Sequence, residues 1–445
     1  MAQMTFQPGE EAGGIYVAGD ILEGQQNHAP TLRFDHVVLP DNPHLSASSL
    51  GCGLRYSLVS APARQDPGAP PESKVWAFRQ KLAGAVASSE GDRLPGEGHR
   101  QQQAEEERWS AAQPGSTTTT TTTKVNFREL SIRGVVSLVS CGEAHSLICT
   151  TQGSLFVHGS NANGQLGLGD YLDRLAPTEN QLLEGIGVTM AAAGGFHSLV
   201  VTKDGQLMSF GSNSDGQLGL GKRRRLMSQA VTSGFESVCE PSLVTFDEIP
   251  ELEATLEVMC LSAGYRHSAA VVSTWKIERE SWFGKKKNLG AFDPFGAGEP
   301  TLLSEGELFT WGCNAEGQLG QPEAQGLMPL PCYVQLHPKV PRHEGLLPRR
   351  VGRDGDPFDD RLLRDKQVMS VACGGGHTLA LTRDQCVYAW GRGRSGQLGT
   401  RGEVRDRASP CLVTALKGEG VTQVSSQHIL SDPAIICGLK MQVQG

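Results

Sequence analysis

Two groups of residues in this chain have types and spacing that suggest chemistry: a glycine-rich run that ends in lysine, and a set of recurring histidines. The run at residues 216–222, GQLGLGK, spaces glycines and a lysine as a phosphate-binding loop does. Such a loop also needs Ser or Thr directly after the lysine to reach magnesium, and Arg223 stands there. We therefore interpret these glycines as turn residues and not as a nucleotide site.

The histidines are the second candidate, since imidazole is a common metal ligand and general base. His145, His197, His267 and His377 each precede Ser or Thr and occupy one position of a repeated pattern. Residues that hold the same position in successive units belong to different parts of the molecule, so we do not expect the four rings to be gathered at one site. We expect each imidazole, and the hydroxyl beside it, to bond to neighbouring backbone.

Other patterns of catalysis and metal binding are missing from the sequence. There is no Ser-His-Asp or Cys-His arrangement and no metal-ligand spacing among the 11 cysteines, which we expect to be reduced and buried. Residues 348–366 carry several aspartates, but Phe358 takes a ligand position of the calcium-loop pattern. We interpret that segment as a charged loop, and the sequence predicts no catalytic residue, cofactor or metal.

An internal repeat predicts the elements that hold these residues. Each unit runs Gly-x-x-His-[Ser/Thr], an apolar strand, a polar turn, a second strand that ends in Gly, and then Gly-Gln-Leu-Gly. In three units the histidine and the strand-ending glycine are 14 positions apart, as from His145 to Gly159. The turn glycines that open the last motif are Gly164, Gly216, Gly317 and Gly396.

One unit shows the expected local structure. HSLVVT, from His197, alternates as a half-buried strand does, and Asp204-Gly205 is typical of a type I′ hairpin turn. The leucine of Gly-Gln-Leu-Gly is expected to pack between neighbouring sheets. Because one such small antiparallel sheet cannot bury both its faces, radial packing of several of them into a β-propeller is predicted.

These units resemble the repeats of the RCC1 (regulator of chromosome condensation) family, and four of them match closely over residues 141–399. A degenerate unit begins near Cys52, where Tyr56 replaces the histidine, and continues at Trp76. A last unit is split between the segments around Gly19 and His428. The resemblance implies an all-β fold, a single RCC1-like β-propeller over residues 1–445. It would have six to seven four-stranded blades and be closed by pairing of the N- and C-terminal segments.

Two insertions depart from the repeat. Residues 81–124 are polar, include seven consecutive threonines and are predicted to be disordered. Residues 275–305 lie inside a blade, because His267 and Gly312 are 45 positions apart where the other units have 14.

The second insertion is the predicted partner interface, since aromatic and basic side chains are interleaved there as in interaction hot spots. An alternative is that its aromatics pack back onto the propeller. The candidate residues are Trp275, Arg279, Trp282, Phe283, Lys285, Lys286 and Lys287.

The predicted function is a non-catalytic protein-interaction platform, in its most concrete form a regulator or guanine-nucleotide exchange factor of a small GTPase, as the family resemblance implies. The alternative is a scaffold or adaptor with no GTPase link. A net charge of −8 and an acidic start (Glu10 and Glu11, with Arg33 as the first basic residue) argue against DNA or chromatin binding. No apolar stretch suggests membrane insertion or a secretory signal, so we expect the protein in the cytoplasm or nucleus. We also expect it to be a monomer.

Overall fold

The structure is a computed structural model. It describes residues 15–22, 31–37, 49–52, 57–62, 73–79, 117–119, 124–221, 236–246, 254–279, 297–322, 326–334, 367–400 and 404–426. The chain divides into two compact units, Met1–Val139 and Ser140–Gly445. Within the described residues every regular element is a strand, apart from two single 3₁₀ turns at Gln181–Leu183 and Thr414–Leu416.

The first unit contains two antiparallel sheets. One is a hairpin of β1 (Ile15–Leu22) and β2 (Thr31–Val37). The other has five strands in the order β3-β4-β5-β7-β6. Its members are β3 (Ser49–Cys52), β4 (Ser57–Pro62), β5 (Ser73–Arg79), β6 (Thr117–Thr119) and β7 (Lys124–Leu130).

Four four-stranded antiparallel sheets follow along the chain, each with its strands in sequence order. The first sheet consists of β8 (Val136–Cys141), which crosses the boundary between the units, β9 (His145–Thr150), β10 (Leu155–Gly159) and β11 (Arg174–Glu179). The second consists of β12 (Val188–Ala193), β13 (His197–Thr202), β14 (Leu207–Gly211) and β15 (Val238–Leu243). The third consists of β16 (Ala254–Ala263), β17 (His267–Arg279), β18 (Ala297–Cys313) and β19 (Leu327–Tyr333). The fourth consists of β20 (Val368–Cys373), β21 (His377–Thr382), β22 (Val387–Gly391) and β23 (Arg407–Leu412).

The core lies between successive sheets, so the histidine-bearing strands are buried on both faces. Along β17, Ala270 and Val272 pack into a cluster with the second sheet, while Ala269 and Val271 pack into a cluster with the fourth. Successive side chains of a strand point to opposite faces, so one strand serves two cores. The expectation of half-buried strands is wrong for this reason: all six residues of β13 are buried.

The hairpin turns also differ from the prediction. Gly205 has a φ of +77°, but Asp204 does not have a positive φ, so a type I′ turn is excluded. Thr202 accepts a hydrogen bond from Gly205 N (3.0 Å) and its own N–H donates to Gln206 O (3.0 Å). This is the three-residue loop with glycine at the left-handed position, in which only one residue needs a positive φ. In the fourth sheet Gln385 takes that position, with a φ of +61°.

The last strand of each of these four sheets contains a proline. In every case the proline lies one position before a residue that is paired with the preceding strand of the same sheet; these prolines are Pro177, Pro241, Pro331 and Pro410. Proline has no N–H to donate, which makes it a typical edge residue and a guard against pairing with another chain. The outer edges are thus protected.

The predicted all-β fold is confirmed by these sheets, and the leucines of Gly-Gln-Leu-Gly are buried as expected, Leu166, Leu218 and Leu319 completely. Blade number and closure by the chain ends stay predictions, since residues 427–445 lie outside the described part. Of the predicted disordered insertion 81–124, Thr117–Thr119 forms β6 and Lys124 begins β7, which differs from disorder at those positions. Residues 80–116, 120–123 and the predicted charged loop 348–366 lie outside the described residues.

Candidate partner-binding site

The recurring histidines join each sheet to the next. The Nε2 of His145, His197 and His267 lies 2.8–2.9 Å from the hydroxyl oxygen of Ser198, Ser268 and Thr378, respectively. The fourth member of the set, His377, lies 2.9 Å from Ser426 Oγ in the segment after the fourth sheet. The expectation that each imidazole bonds to backbone is therefore wrong for these contacts: the partner of Nε2 is a side-chain hydroxyl, which in three of the four cases belongs to the following sheet.

Proton counting assigns the donor in these contacts. The hydroxyl of Ser268 donates its one proton to the carbonyl oxygen of Gln217, at 2.8 Å. The oxygen of Ser268 can then only accept from the imidazole, so Nε2 of His197 carries a proton. The same arrangement holds for Ser198 with Gln165 O (2.7 Å) and Thr378 with Gln318 O (2.7 Å). A chain of hydrogen bonds thus runs from histidine to hydroxyl to carbonyl across each junction.

The glycine of Gly-x-x-His is required by close packing. A Cβ on Gly194 would lie 2.6 Å from Nδ1 of His197 and 2.6 Å from the carbonyl oxygen of Gly264 in the next sheet. Both contacts are shorter than real Cβ contacts, so the site accepts only hydrogen there. The spacing of glycine and histidine therefore serves the sheet junction.

The Gly-Gln-Leu-Gly turn completes the junction. Gln217 Oε1 accepts from Asp215 N (2.8 Å), and its backbone carbonyl accepts from Trp311 Nε1 (2.9 Å) as well as from Ser268. Gly216 has a φ of +76°, and a Cβ there would lie 2.7 Å from Pro329 Cα in the next sheet. The glycine turn therefore serves close packing of the backbone.

The resemblance of residues 216–222 to a phosphate loop is explained by the same bonds. Gly216 N, Gly219 N and Gly221 N donate to the carbonyl oxygens of Asn213, Gly216 and Pro329, at 2.9–3.0 Å. A phosphate cradle needs these N–H groups to point at a ligand. They are used inside the fold, so these three N–H groups do not form a phosphate cradle.

Two of the buried thiols in the described part of the chain are not activated. Burial raises the pKa of Cys149 and of Cys373 to about 12, so both stay protonated at neutral pH. Within the described residues there is also no group of three or more His, Cys, Asp or Glu side chains able to hold a metal.

The third sheet differs from its neighbours by a long extension, which we call the arm: residues 254–257, 273–279 and 297–305. β17 has 13 residues where β13 and β21 have 6, and its pairing with β18 continues from His267↔Gly312 to Arg279↔Ala297. At about 3.3 Å per residue, seven more residues add about 23 Å of strand. β16 also extends, with Ala254 opposite Lys276, so three strands continue past the hairpin ends of the neighbouring sheets.

One face of the arm carries an aromatic ring, a carboxylate and an exposed leucine. Trp275 is half-buried, and its Nε1 donates to Oε2 of Glu257 at 2.9 Å. Leu302 is the cross-strand partner of Trp275 and is 41% exposed. Ser273, paired with Glu257, is buried. Because Val271 on the same face packs against the fourth sheet, this face looks towards that sheet.

The base of the arm is fixed to the fourth sheet. Arg383 Nη1 donates to Glu305 Oε2 at 3.0 Å and also bonds to Gln367 Oε1. Gly306 approaches so closely that a Cβ there would lie 2.8 Å from Val368 N. The arm therefore has a defined direction where it leaves the propeller sheet.

The structure describes only part of the sequence-predicted interface. Trp275 lies on the arm, and Arg279 ends β17, where its backbone is described. Trp282, Phe283, Lys285, Lys286 and Lys287 lie outside the described residues. Sequence reasoning missed Glu257, which precedes the insertion, and Leu302, which lies within it, because only the pairing register of the strands brings them to Trp275.

A second cluster, with half-buried rings and an exposed arginine, lies at the histidine ends of the sheets and comes from the two variable positions of Gly-x-x-His. Phe196 and Tyr265 meet edge to face with ring centroids 5.5 Å apart, and the Arg266 guanidinium lies 5.7 Å from the Tyr265 centroid. Arg266 also faces Asp215 at 3.9 Å. The signal that could have found this cluster is the residue types at those two positions.

The repeated sheets, interlocked by one histidine-hydroxyl-carbonyl connection at each junction, define a repeat protein of the β-propeller class. Profiles of the Regulator of chromosome condensation (RCC1) repeat match residues 152–201, 305–381 and 384–426, and, in a second form, residues 136–165, 191–217 and 368–397. The chain belongs to the RCC1 repeat family.

Two relatives illustrate how diverse this family is. The Ultraviolet-B receptor UVR8 of Arabidopsis thaliana is 33% identical over 323 residues, which are 66% of this chain and 61% of the receptor. The Secretion-regulating guanine nucleotide exchange factor of Mus musculus is 29% identical over 311 residues, 62% of this chain and 56% of that protein. The chain thus spans less than two thirds of the length of either relative.

Solved structures show the same fold. Human WBSCR16 superposes with a TM-score of 0.55 at 21% identity, covering 90% of this chain and 75% of its own. Prp20p of Saccharomyces cerevisiae superposes with a TM-score of 0.51 at 16% identity, covering 86% of this chain and 66% of its own.

The described residues contain no helix that has the length and hydrophobicity needed to span a membrane.

Proposed function

We propose that this protein is a non-catalytic interaction platform that regulates a small GTPase, acting as a guanine-nucleotide exchange factor, and that the arm is its partner-binding element. The observation that carries the proposal is the arm itself. It continues three strands beyond the sheet and leaves Leu302 41% exposed beside the half-buried Trp275. Exposed apolar and aromatic side chains on a protruding element are typical of binding sites.

Two relatives support the GTPase link. One similar protein is named a secretion-regulating guanine nucleotide exchange factor, and the structural neighbour Prp20p binds Gsp1p and histones. A shared fold does not by itself transmit function, so the proposal depends on the arm and not on the propeller alone.

Nucleotide exchange breaks no covalent bond, so it needs neither an activated thiol nor a catalytic histidine. An exchange factor binds the nucleotide-free GTPase more tightly than the loaded form, and by reciprocity the nucleotide then binds the complex more weakly by the same factor. A preference of about 1,000-fold corresponds to about 4 kcal/mol of coupling. An arm of about 23 Å is long enough to reach across much of a partner's binding surface.

Nucleotide dependence of partner capture tests this proposal. The intact protein is used as bait in lysate, once with EDTA to strip magnesium and nucleotide and once with magnesium and excess GTP. We expect a small GTPase to be retained with EDTA and released with GTP. Partners retained equally in both conditions would contradict the exchange-factor function and leave the scaffold alternative.

A further inference from the structure

We propose that Met259 and Met369 form a peroxide-reactive modification site, at which a hydroperoxide converts the two thioethers to sulfoxides while the sheets stay folded. The two residues lie in β16 and β20, the first strands of the third and fourth sheets. Their side chains are 48% and 50% exposed, respectively. The inference is independent of the proposed function, because it concerns a modification of this chain and not the binding of a partner.

A β-bulge in each strand explains why these two side chains are exposed. In β16 the residues on either side of Met259, Val258 and Cys260, pair with consecutive residues of β17, so the pairing skips Met259. The pairing of β20 with β21 skips Met369 in the same way. The extra residue of a bulge is left unpaired, and the bend of the strand re-aims its side chain. The backbone therefore turns both methionines outward.

The exposed position recurs from sheet to sheet. In the second sheet the pairing of β12 with β13 skips Thr189, which is exposed as well. The same backbone irregularity thus exposes residues of different types. Because the third and fourth sheets place a methionine there, two thioethers share one kind of site in adjacent sheets.

The two bulges are close neighbours across the junction between the third and fourth sheets. The residues that directly follow them, Cys260 and Ser370, are in contact, with Sγ 3.8 Å from Oγ. Further along the same strands, Cys373 N donates to Ser262 Oγ at 2.9 Å. Both strands are edge strands of their sheets. Two exposed thioethers therefore lie along neighbouring sheet edges that are held together by direct contacts.

A thioether reacts with a peroxide without the deprotonation that a thiol needs. The sulfur lone pair attacks the terminal oxygen of the hydroperoxide and forms the S–O bond of the sulfoxide. The O–O bond breaks, and the other oxygen takes the proton and leaves as an alcohol, or as water from hydrogen peroxide. The sulfur is oxidised by two electrons and the peroxide is reduced by two, so no further reactant is required.

A neighbouring thiol does not compete for the peroxide. Cys373 lies in the same strand as Met369, and burial raises its pKa to about 12. The thiolate is the reactive form of cysteine, and this thiol stays protonated at neutral pH. The exposed thioether is therefore the more reactive sulfur of the two.

The fold tolerates a sulfoxide at these positions. A sulfoxide is polar, and its burial in a core costs free energy unless a donor meets its oxygen. Met259 and Met369 already have about half of their surface in water, so the new oxygen can be hydrated. Met190 provides a contrast, because it follows the bulge of the second sheet and packs against the cluster shared with the third. Methionine sulfoxide reductases return the product to the thioether, which makes the modification reversible.

Timed exposure of the full chain to hydrogen peroxide, followed by peptide mass spectrometry, tests the proposal. We expect Met259 and Met369 to gain one oxygen atom each, at rates within about three-fold of a methionine in an unstructured peptide. The half-buried Met190 and Met208 should react at least about five-fold more slowly. The thermal unfolding midpoint of protein oxidised at the two exposed positions should stay within about 2 °C of the untreated value.

Matched variants and an unfolded control assign the reaction to these two side chains. The double variant Met259→Leu, Met369→Leu keeps two apolar side chains and should lose the fast oxygen uptake. Met190→Leu removes a methionine of similar chain position and should leave the fast uptake unchanged. In urea-unfolded protein all methionines should react at similar rates, since the structure no longer protects any of them.

Three results would overturn the proposal. The first is oxidation of Met259 and Met369 no faster than that of Met190 in the folded protein. The second is the same order of rates in folded and unfolded protein, which would show that the fold does not select these residues. The third is loss of cooperative unfolding as the two methionines are oxidised, which would show that they belong to the core.

Discussion

The hydrogen bond between His197 and Ser268 provides a quantitative test of how the sheets are held together. It joins two completely buried side chains in adjacent sheets, with Nε2 and Oγ 2.8 Å apart. We expect His197→Ala to lower the free energy of unfolding by about 3 kcal/mol. Roughly 1 kcal/mol of this comes from the hydrogen bond and the remainder from the cavity left by the ring.

Ser268→Ala perturbs the same bond from the other side. It leaves the protonated Nε2 of His197 buried without its acceptor, while the carbonyl of Gln217 keeps its bond from Trp311. We expect a loss of about 2 kcal/mol, mostly the cost of burying an unsatisfied donor. The double variant should then lose about 3.5 kcal/mol, because the bond is removed only once, which gives a coupling energy of about 1.5 kcal/mol.

Urea unfolding followed by far-ultraviolet circular dichroism measures these values. The control is His197→Ala combined with Thr378→Val, since Thr378 bonds to His267 and not to His197. That pair should be additive within about 0.5 kcal/mol. A coupling energy near zero for His197 and Ser268 would refute the assignment of the histidines as connections between sheets.

Three further predictions follow from single positions. Gln385→Gly should raise the free energy of unfolding, measured by urea titration, by about 1 kcal/mol. Gln385 has a φ of +61°, and this left-handed conformation costs a residue with a Cβ about that much relative to glycine. No gain in stability would mean that the turn is not left-handed there. Burial raises the pKa of Glu316 above its usual 4.5, with Arg392 opposing, so the folded state favours the protonated acid and loses stability as pH rises through this pKa. The glutamine of Glu316→Gln does not titrate, so this variant does not lose stability in that way. The free energy of unfolding of the variant minus that of the wild type should therefore increase from about pH 4 to about pH 7, and a constant or decreasing difference would contradict the direction of the pKa shift. Cys373, with a pKa of about 12, should react with iodoacetamide at pH 8 only as fast as the protein unfolds, and rapid labelling in mass spectrometry without urea would contradict its burial.

Local repeats allowed much of the fold to be predicted from sequence. Strand type, turn glycines and the buried leucine follow from short-range pattern, because each is decided within a few residues of the motif. The contacts of the histidines do not, since His267 and Thr378 are 111 positions apart and meet only when the sheets pack. The left-handed Gln385 was unpredictable for a related reason, as the tertiary fold imposes a turn that its own residue type disfavours.

The candidate site was predicted only in part. An insertion rich in aromatic and basic residues was evident, but its continuation of the strands depends on register across three strands, which one sequence does not specify. Glu257 lies 18 positions before Trp275, and nothing in its own segment marks it. Cross-strand pairs of this kind become visible only when the pairing is known.

Capture of partners by a variant without the end of the arm tests the central claim most directly. Residues 275–303 are replaced by a two-glycine turn between Thr274 and Ser304, which are already paired across the hairpin. Partners retained from lysate with EDTA are then quantified against the intact protein, with a matched thermal unfolding measurement. We predict loss of the GTPase with an unfolding midpoint unchanged within about 2 °C, since the buried residues of β17 that pack against the neighbouring sheets, Ala269 to Val272, are kept. Full retention of the GTPase would contradict the arm as the binding element, and a large fall in the midpoint would show that its aromatic residues belong to the core.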